Sequence, residues 1–196
     1  MEYQALNESA RMVANDKKRS IYIDKVNSGM PRWLIEVAFV LFVLQALYTE
    51  EKISEWVIDN GLQPAMSLII LVGDVIFFYA MMRGMKTLVR PFTVLWCLLI
   101  VVVAAGDIAF VAPDSIINLV LAVALPLVYL PLGFSITYFY RGRLQWVGIL
   151  MIAHMVAMII LPILLYPFIP NIIVDIVGIV VLIAFGWTMR QVLVGR

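Results

Sequence analysis

Long apolar runs separated by short polar segments dominate the chain after residue 30. A helix needs about 20 apolar residues to cross the hydrocarbon core of a membrane. The runs predict six spans, over residues 33–48, 62–82, 91–112, 116–140, 146–168 and 172–189. The first span is shorter than about 20 residues, so it needs the residues at its edge to cross the hydrocarbon core. The fourth contains Pro126 and Pro131, which predict a kink or a tilt.

The predicted fold is therefore all-α, a polytopic membrane protein with six transmembrane helices arranged as three hairpins. A polar amino-terminal tail of residues 1–30 precedes a transmembrane domain of residues 31–190, and a short tail of residues 191–196 follows it. The first 30 residues do not read as a signal peptide, because no apolar segment follows a short basic start.

Lysine and arginine predict the orientation. With six spans, every basic residue except Lys52 falls on one side, within residues 1–32, 83–90, 141–143 and 190–196. The positive-inside rule assigns that side to the cytoplasm. Both termini are expected to be cytoplasmic, in a multi-pass protein of a cell membrane, the inner membrane in a bacterium or an archaeon.

Composition agrees with a membrane protein and excludes several other classes. Apolar residues make up 64% of the chain and charged residues 14%, against about 45–50% and 25% in soluble domains. The net charge of +1 and the lack of a large basic block argue against a nucleic-acid partner. Cys97 and His154 are the only cysteine and histidine, which excludes an intrachain disulfide, a cysteine metal cage and bis-histidine haem. No cofactor or metal is expected.

The loop between the first two spans has the pattern of a short amphipathic helix. Ile53, Trp56 and Val57 are spaced for one helical face, with acidic residues opposite. The pattern predicts a surface helix that starts near Thr49 and stops at Asn60 and Gly61. The alternative is an acidic mouth that attracts cations.

Ionisable residues inside the spans are the candidates for function. A carboxylate at the centre of a span costs on the order of 2.5–3.5 kcal/mol, so such a group usually faces a bundle interior or a wet cavity. The candidates for an intramembrane polar pathway are Glu36, Asp74, Asp107, His154 and Asp175. The alternative for each is a structural hydrogen bond to a neighbouring helix.

Helical rise places these candidates at three depths. Asp74 and His154 are expected at one level near the midplane, where a pair could form the middle of a proton relay. Asp107 and Asp175 are expected at an outer level, and Glu36 near the cytoplasmic boundary. Possible supporting residues share faces with them in the second and fourth spans: Gln63, Ser67, Asn118 and Tyr129.

The amino-terminal tail suggests an interaction. Tyr3, Leu6, Ala10 and Val13 have roughly helical spacing and precede a basic cluster. One interpretation is a helix that docks a protein partner, and the other is a solvated tail whose basic cluster touches anionic lipid.

The sequence contains no pattern typical of a catalytic triad, a zinc site or a phosphate-binding loop, so an enzyme is not expected. Two functions remain. The first is a non-catalytic membrane subunit, sensor or anchor, which forms a homo-oligomer or binds a protein partner through the amino-terminal tail. The second is a small channel or proton-linked transporter that uses the intramembrane carboxylates.

Overall fold

The computed structural model describes residues 21–48, 50–109, 115–157 and 171–194. In these ranges the chain is mainly helical, with two short strands and short connecting segments. The helices are α1 (Arg32–Tyr48), α2 (Glu51–Asp59), α3 (Gln63–Met82), α4 (Arg90–Ile108), α5 (Ile116–Phe139), α6 (Arg143–Met155) and α7 (Asn171–Val194). The strands are β1 (Ile21–Tyr22) and β2 (Tyr140–Arg141).

The all-α prediction is confirmed, and five helices begin within one residue of a predicted span: α1, α3, α4, α5 and α7. Helix α6 begins three residues before the predicted fifth span, and most of the second half of that span, residues 158–168, lies outside the described residues. Helix α7 continues to Val194, five residues beyond the predicted end, so Arg190 lies inside it.

Three of the described helices are long and apolar enough to cross a membrane: α3, α4 and residues Ile172–Val194 of α7. Helix α1 would supply a fourth if it formed one broken span with residues Lys52–Asp59, whose axis is bent from that of α1 by 99°. Helix α5 runs through Pro126 and Pro131. The chain is therefore compatible with membrane insertion through several helices.

The predicted amphipathic helix is confirmed as α2. Its amino terminus is capped by Glu50, whose carboxylate accepts the backbone N–H of Ile53 at 2.8 Å, so the helix begins at Glu51. At the other end Gly61 has a φ of +67°, a left-handed conformation that glycine adopts without strain.

The six helices other than α2 form a closed ring. Each packs against the next along the chain, and α1 closes the ring by packing against α7. Aromatic rings fill the space between α1, α3 and α7, where the centroid of Phe42 lies 5.6 Å from Phe77 and 5.2 Å from Phe185. A side chain at Gly186 would bring its Cβ to 2.8 Å from the Phe42 ring, so this packing depends on a glycine.

Residues 21–30 lie across one end of this ring. Strand β1 pairs in parallel with β2, and the N–H of Val26 donates to the carbonyl of Val192 at 2.8 Å. The hydroxyl of Tyr140 accepts the backbone N–H of Lys86. The segments 21–32, 83–90, 140–143 and 190–194 therefore meet at one end, which we call the basic end. The last ten residues of the predicted tail thus pack against the ring, whereas its stripe from Tyr3 to Val13 lies outside the described residues.

Candidate functional site

A cavity of about 150 Å³ lies inside the helix ring. All six helices of the ring contribute to its wall. The polar and aromatic residues that line it are Phe42, Gln45, Asp74, Phe78, Trp96, Tyr129, His154 and Phe185. Aliphatic side chains and Met155 complete the lining.

Asp74 is the acidic residue of this cavity. It lies eight residues before the end of α3, or about 12 Å along the helix axis at 1.5 Å per residue, and it is only 2% exposed. The preceding Gly73 allows α1 to approach closely, because a Cβ there would lie 3.2 Å from the Cβ of Leu41. This close approach brings Gln45 of α1 to the Asp74 carboxylate, to which its amide donates a hydrogen bond.

Several buried polar atoms around the cavity have no hydrogen-bond partner among the described residues. They are Oε1 of Gln45, Oδ1 of Asp74, Nε1 of Trp96, and Nδ1 and Nε2 of His154. Such groups are rare inside folded proteins because an unpaired buried donor or acceptor costs about 1–3 kcal/mol. Their concentration around one cavity makes this cavity the candidate functional site.

Much of the cavity wall is aromatic. The ring centroids of Trp96 and Tyr129 are 4.6 Å apart, and Tyr129 meets His154 edge-on at 6.1 Å. Phe78 lies 6.1 Å from Trp96 and 6.2 Å from Phe185. No lysine or arginine of the described residues lines the cavity. The Asp74 carboxylate therefore shares the cavity with aromatic rings, the Gln45 amide and the His154 imidazole, and with no lysine or arginine of the described residues.

Asp74 and His154 line the same cavity. They do not hydrogen-bond to each other, because both ring nitrogens of His154 are without a partner among the described residues. The direct pair considered from the sequence is thus not formed. Tyr129, expected to support the site, is 4% exposed and stands beside His154 in the cavity wall.

Gln63 and Ser67 were expected to support Asp74, and the structure places them elsewhere. The Gln63 amide donates to Oδ1 of Asp107 at 2.9 Å, and the Ser67 hydroxyl donates to Oδ2 of Asp107. The three α3 residues do share a face, but Asp74 is two helical turns beyond Ser67, about 10 Å away along the axis. Asp107 thus has its own partners on α3.

Glu36 is held by an ion pair at the basic end. The guanidinium of Arg190 on α7 makes two hydrogen bonds to the carboxylate, at 2.6 and 2.8 Å. The Arg190 guanidinium also lies 5.0 Å from the ring centroid of Trp187. The pair joins α1 to α7, where the helix ring closes, and gives Glu36 a structural partner.

Two residues remain, the candidate Asp175 and the possible supporting residue Asn118. Asp175 lies in the first turns of α7, is half-buried, and takes part in an interaction. The Asn118 side chain lies outside what the structure describes.

Sequence reasoning missed Gln45 and Trp96. A signal for Gln45 was present, since it and Glu36 are the strongly polar residues within the first span. Trp96 lies nearly two turns inside α4, whereas membrane tryptophans concentrate at the interfaces. A tryptophan nearly two turns inside a span is therefore a signal of a polar interior.

In the part of the chain that the structure describes, no group of three or more His, Cys, Asp or Glu side chains could hold a metal ion. No protein-family model matches the chain, and no curated protein or solved structure matches it significantly.

Proposed function

We propose that the protein is a non-catalytic integral membrane sensor or subunit of an oligomeric or multi-protein complex, and that the central cavity is its ligand-binding site. The observation that carries this proposal is the Asp74 carboxylate, 2% exposed and with Oδ1 unpartnered among the described residues. A chain tolerates such a destabilising group where function requires it.

We also propose that the chain crosses a cell membrane six times, with both termini in the cytoplasm. The meeting of the basic segments at one end of the helix ring supports this topology, since the positive-inside rule favours their common side. Exposed tryptophans near the same end support it as well: Trp33, Trp146 and Trp187 are 65%, 59% and 47% exposed. Tryptophans of this kind form the aromatic belts of membrane interfaces.

The partners of Glu36 and Asp107 favour a binding site over a relay that crosses the membrane. Arg190 donates hydrogen bonds to the Glu36 carboxylate, and Gln63 and Ser67 donate to the Asp107 carboxylate. A relay needs groups that exchange protons with their neighbours along a connected path. Of the five candidates, only Asp74 and His154 line the central cavity.

The second candidate function is a proton-linked transporter. The observation that favours it is that Asp74 and His154, two groups able to exchange protons, share one cavity. In this alternative the Asp74→Asn variant would fold and insert but would lose proton-coupled activity.

Proton flux and complex size together distinguish the two functions. The purified protein is reconstituted into liposomes containing a pH-sensitive dye, and a potassium diffusion potential is imposed with valinomycin. We expect wild type and Asp74→Asn to show the same background flux. We also expect native mass spectrometry of membranes extracted in mild detergent to find the chain in a homo-oligomer or with a protein partner. A monomer that conducts protons only when Asp74 is present would replace the proposed function with transport.

A further inference from the structure

We infer that the ligand of the central cavity is a small organic cation, a protonated amine with the bulk of a few carbon atoms. This inference rests on the proposed function, because it names the ligand class of the same cavity.

The charge of the cavity is the first argument. Asp74 is the acidic residue in the lining, and no lysine or arginine of the described residues stands there to neutralise it. Its Oδ1 and the Oε1 of Gln45 are both hydrogen-bond acceptors without a partner among the described residues. An ammonium group supplies the opposite charge and up to three N–H donors, which match these two acceptors.

The aromatic wall is the second argument. Phe42, Phe78, Trp96, Tyr129 and Phe185 all line the cavity. The faces of aromatic rings attract cations, most strongly for tryptophan and most strongly where water is excluded. A carboxylate combined with several aromatic rings is therefore suited to an organic cation, whose alkyl groups contact the rings while its charge faces the carboxylate.

The volume of the cavity sets the size of its ligand, and its side chains favour an amine over a divalent hard cation. A cavity of about 150 Å³ accommodates a molecule the size of benzene. Divalent hard cations such as Ca²⁺ take six or more oxygen ligands, whereas the described residues hold no cluster of metal-ligating side chains. An amine needs only the two acceptors and the rings that the cavity provides.

The experiment compares isobutylamine with isobutanol on the purified full-length protein in nanodiscs. The two probes have nearly the same shape, and at pH 7 only the amine is charged, since alkylamines such as lysine have a pKa of about 10.4. Binding is measured by isothermal titration calorimetry and by the thermal unfolding midpoint. We expect the amine to bind and to raise the midpoint, and isobutanol to do neither.

Variants assign the binding to the named groups. Asp74→Asn should weaken binding of isobutylamine by about tenfold or more, and Trp96→Leu by about fivefold. The matched controls are Asp107→Asn, an equally conservative change of a carboxylate outside the cavity lining, and Trp33→Leu, a change of an exposed tryptophan. Both should bind the amine as wild type does.

Two results would overturn the inference. Binding of isobutanol as tight as that of the amine, and unaffected by Asp74→Asn, would make the cavity an apolar site. Failure of both probes to bind would also reject an amine as the ligand. The proposed function would then still be tested separately, by the proton-flux assay and by native mass spectrometry. If Asp74→Asn does not fold, Trp96→Leu and Gln45→Leu test the same prediction.

Discussion

At the scale of single residues, two aspartates show how packing decides the role of a side chain. Asp74 and Asp107 both follow a glycine in an apolar helix, and the sequence distinguishes them only by their expected depth. In the folded chain Asp107 accepts hydrogen bonds from two α3 side chains, whereas one oxygen of Asp74 has no partner among the described residues. The tertiary contacts give one carboxylate two side-chain partners and leave one oxygen of the other without a partner among the described residues.

The difference predicts opposite effects of the same substitution on stability. Asp74→Asn removes a buried charge and keeps an acceptor for Gln45, so its thermal midpoint without ligand should equal or exceed that of wild type. Asp107→Asn replaces charge-assisted hydrogen bonds with neutral ones, so it should lower the free energy of unfolding by about 1 kcal/mol. Thermal unfolding of both variants and of wild type is followed by circular dichroism in the same detergent. A larger loss for Asp74→Asn than for Asp107→Asn would show that the Asp74 carboxylate is structural.

At the scale of elements, the sequence predicted where helices lie better than how they meet. Apolar runs locate α1, α3, α4, α5 and α7 because a membrane-length helix has a strong compositional signal. Two-residue strands have no such periodicity, and β1 pairs with β2 across more than a hundred residues. Of the residues that line the cavity, Asp74, His154 and Tyr129 were named from the sequence as parts of a polar pathway. The contribution of Gln45 depends on the close approach of α1 and α3 at Gly73.

The attachment of residues 21–30 to the basic end depends on Gly142. This residue has a φ of +78°, and a Cβ there would lie 2.6 Å from Oδ1 of Asp24, which accepts the N–H of Arg143 at 3.1 Å. Gly142→Ala should therefore destabilise the protein by about 1–2 kcal/mol, from backbone strain and from displacement of Asp24. The matched control is Gly106→Ala, because a Cβ at Gly106 meets nothing within 4 Å.

Thermal unfolding and limited proteolysis check this prediction. Gly142→Ala should lower the midpoint and speed tryptic cleavage after Lys25, whereas Gly106→Ala should not lower the midpoint and should keep the wild-type cleavage rate. Equal protease resistance of the two variants would show that the segment stays attached without the glycine.

At the scale of the whole molecule, the helices of the ring alternate in direction relative to the basic end. Helices α1, α4 and α6 begin at that end, and α3, α5 and α7 finish there. Segments far apart in sequence converge at this end, where Glu36 binds Arg190 and Tyr140 binds the Lys86 N–H. Alternation of this kind supports the proposed six crossings, because each crossing returns the chain to the opposite end.

The alternation predicts which positions an impermeant thiol reagent reaches in intact cells. In a Cys97→Ala background, single cysteines at Thr87 and Arg141 lie at exposed positions of the basic end and should react only after the membrane is permeabilised. Cysteines at Lys52 and Glu55, exposed positions on α2, should react without permeabilisation, because α2 connects two helices at the opposite end of the ring. The labelling of permeabilised cells controls for accessibility within the folded protein. If the cysteine at Thr87 reacts in intact cells and those on α2 do not, the orientation is the reverse of the proposed one. If the cysteines at Thr87 and on α2 all react in intact cells, the six-span topology is wrong.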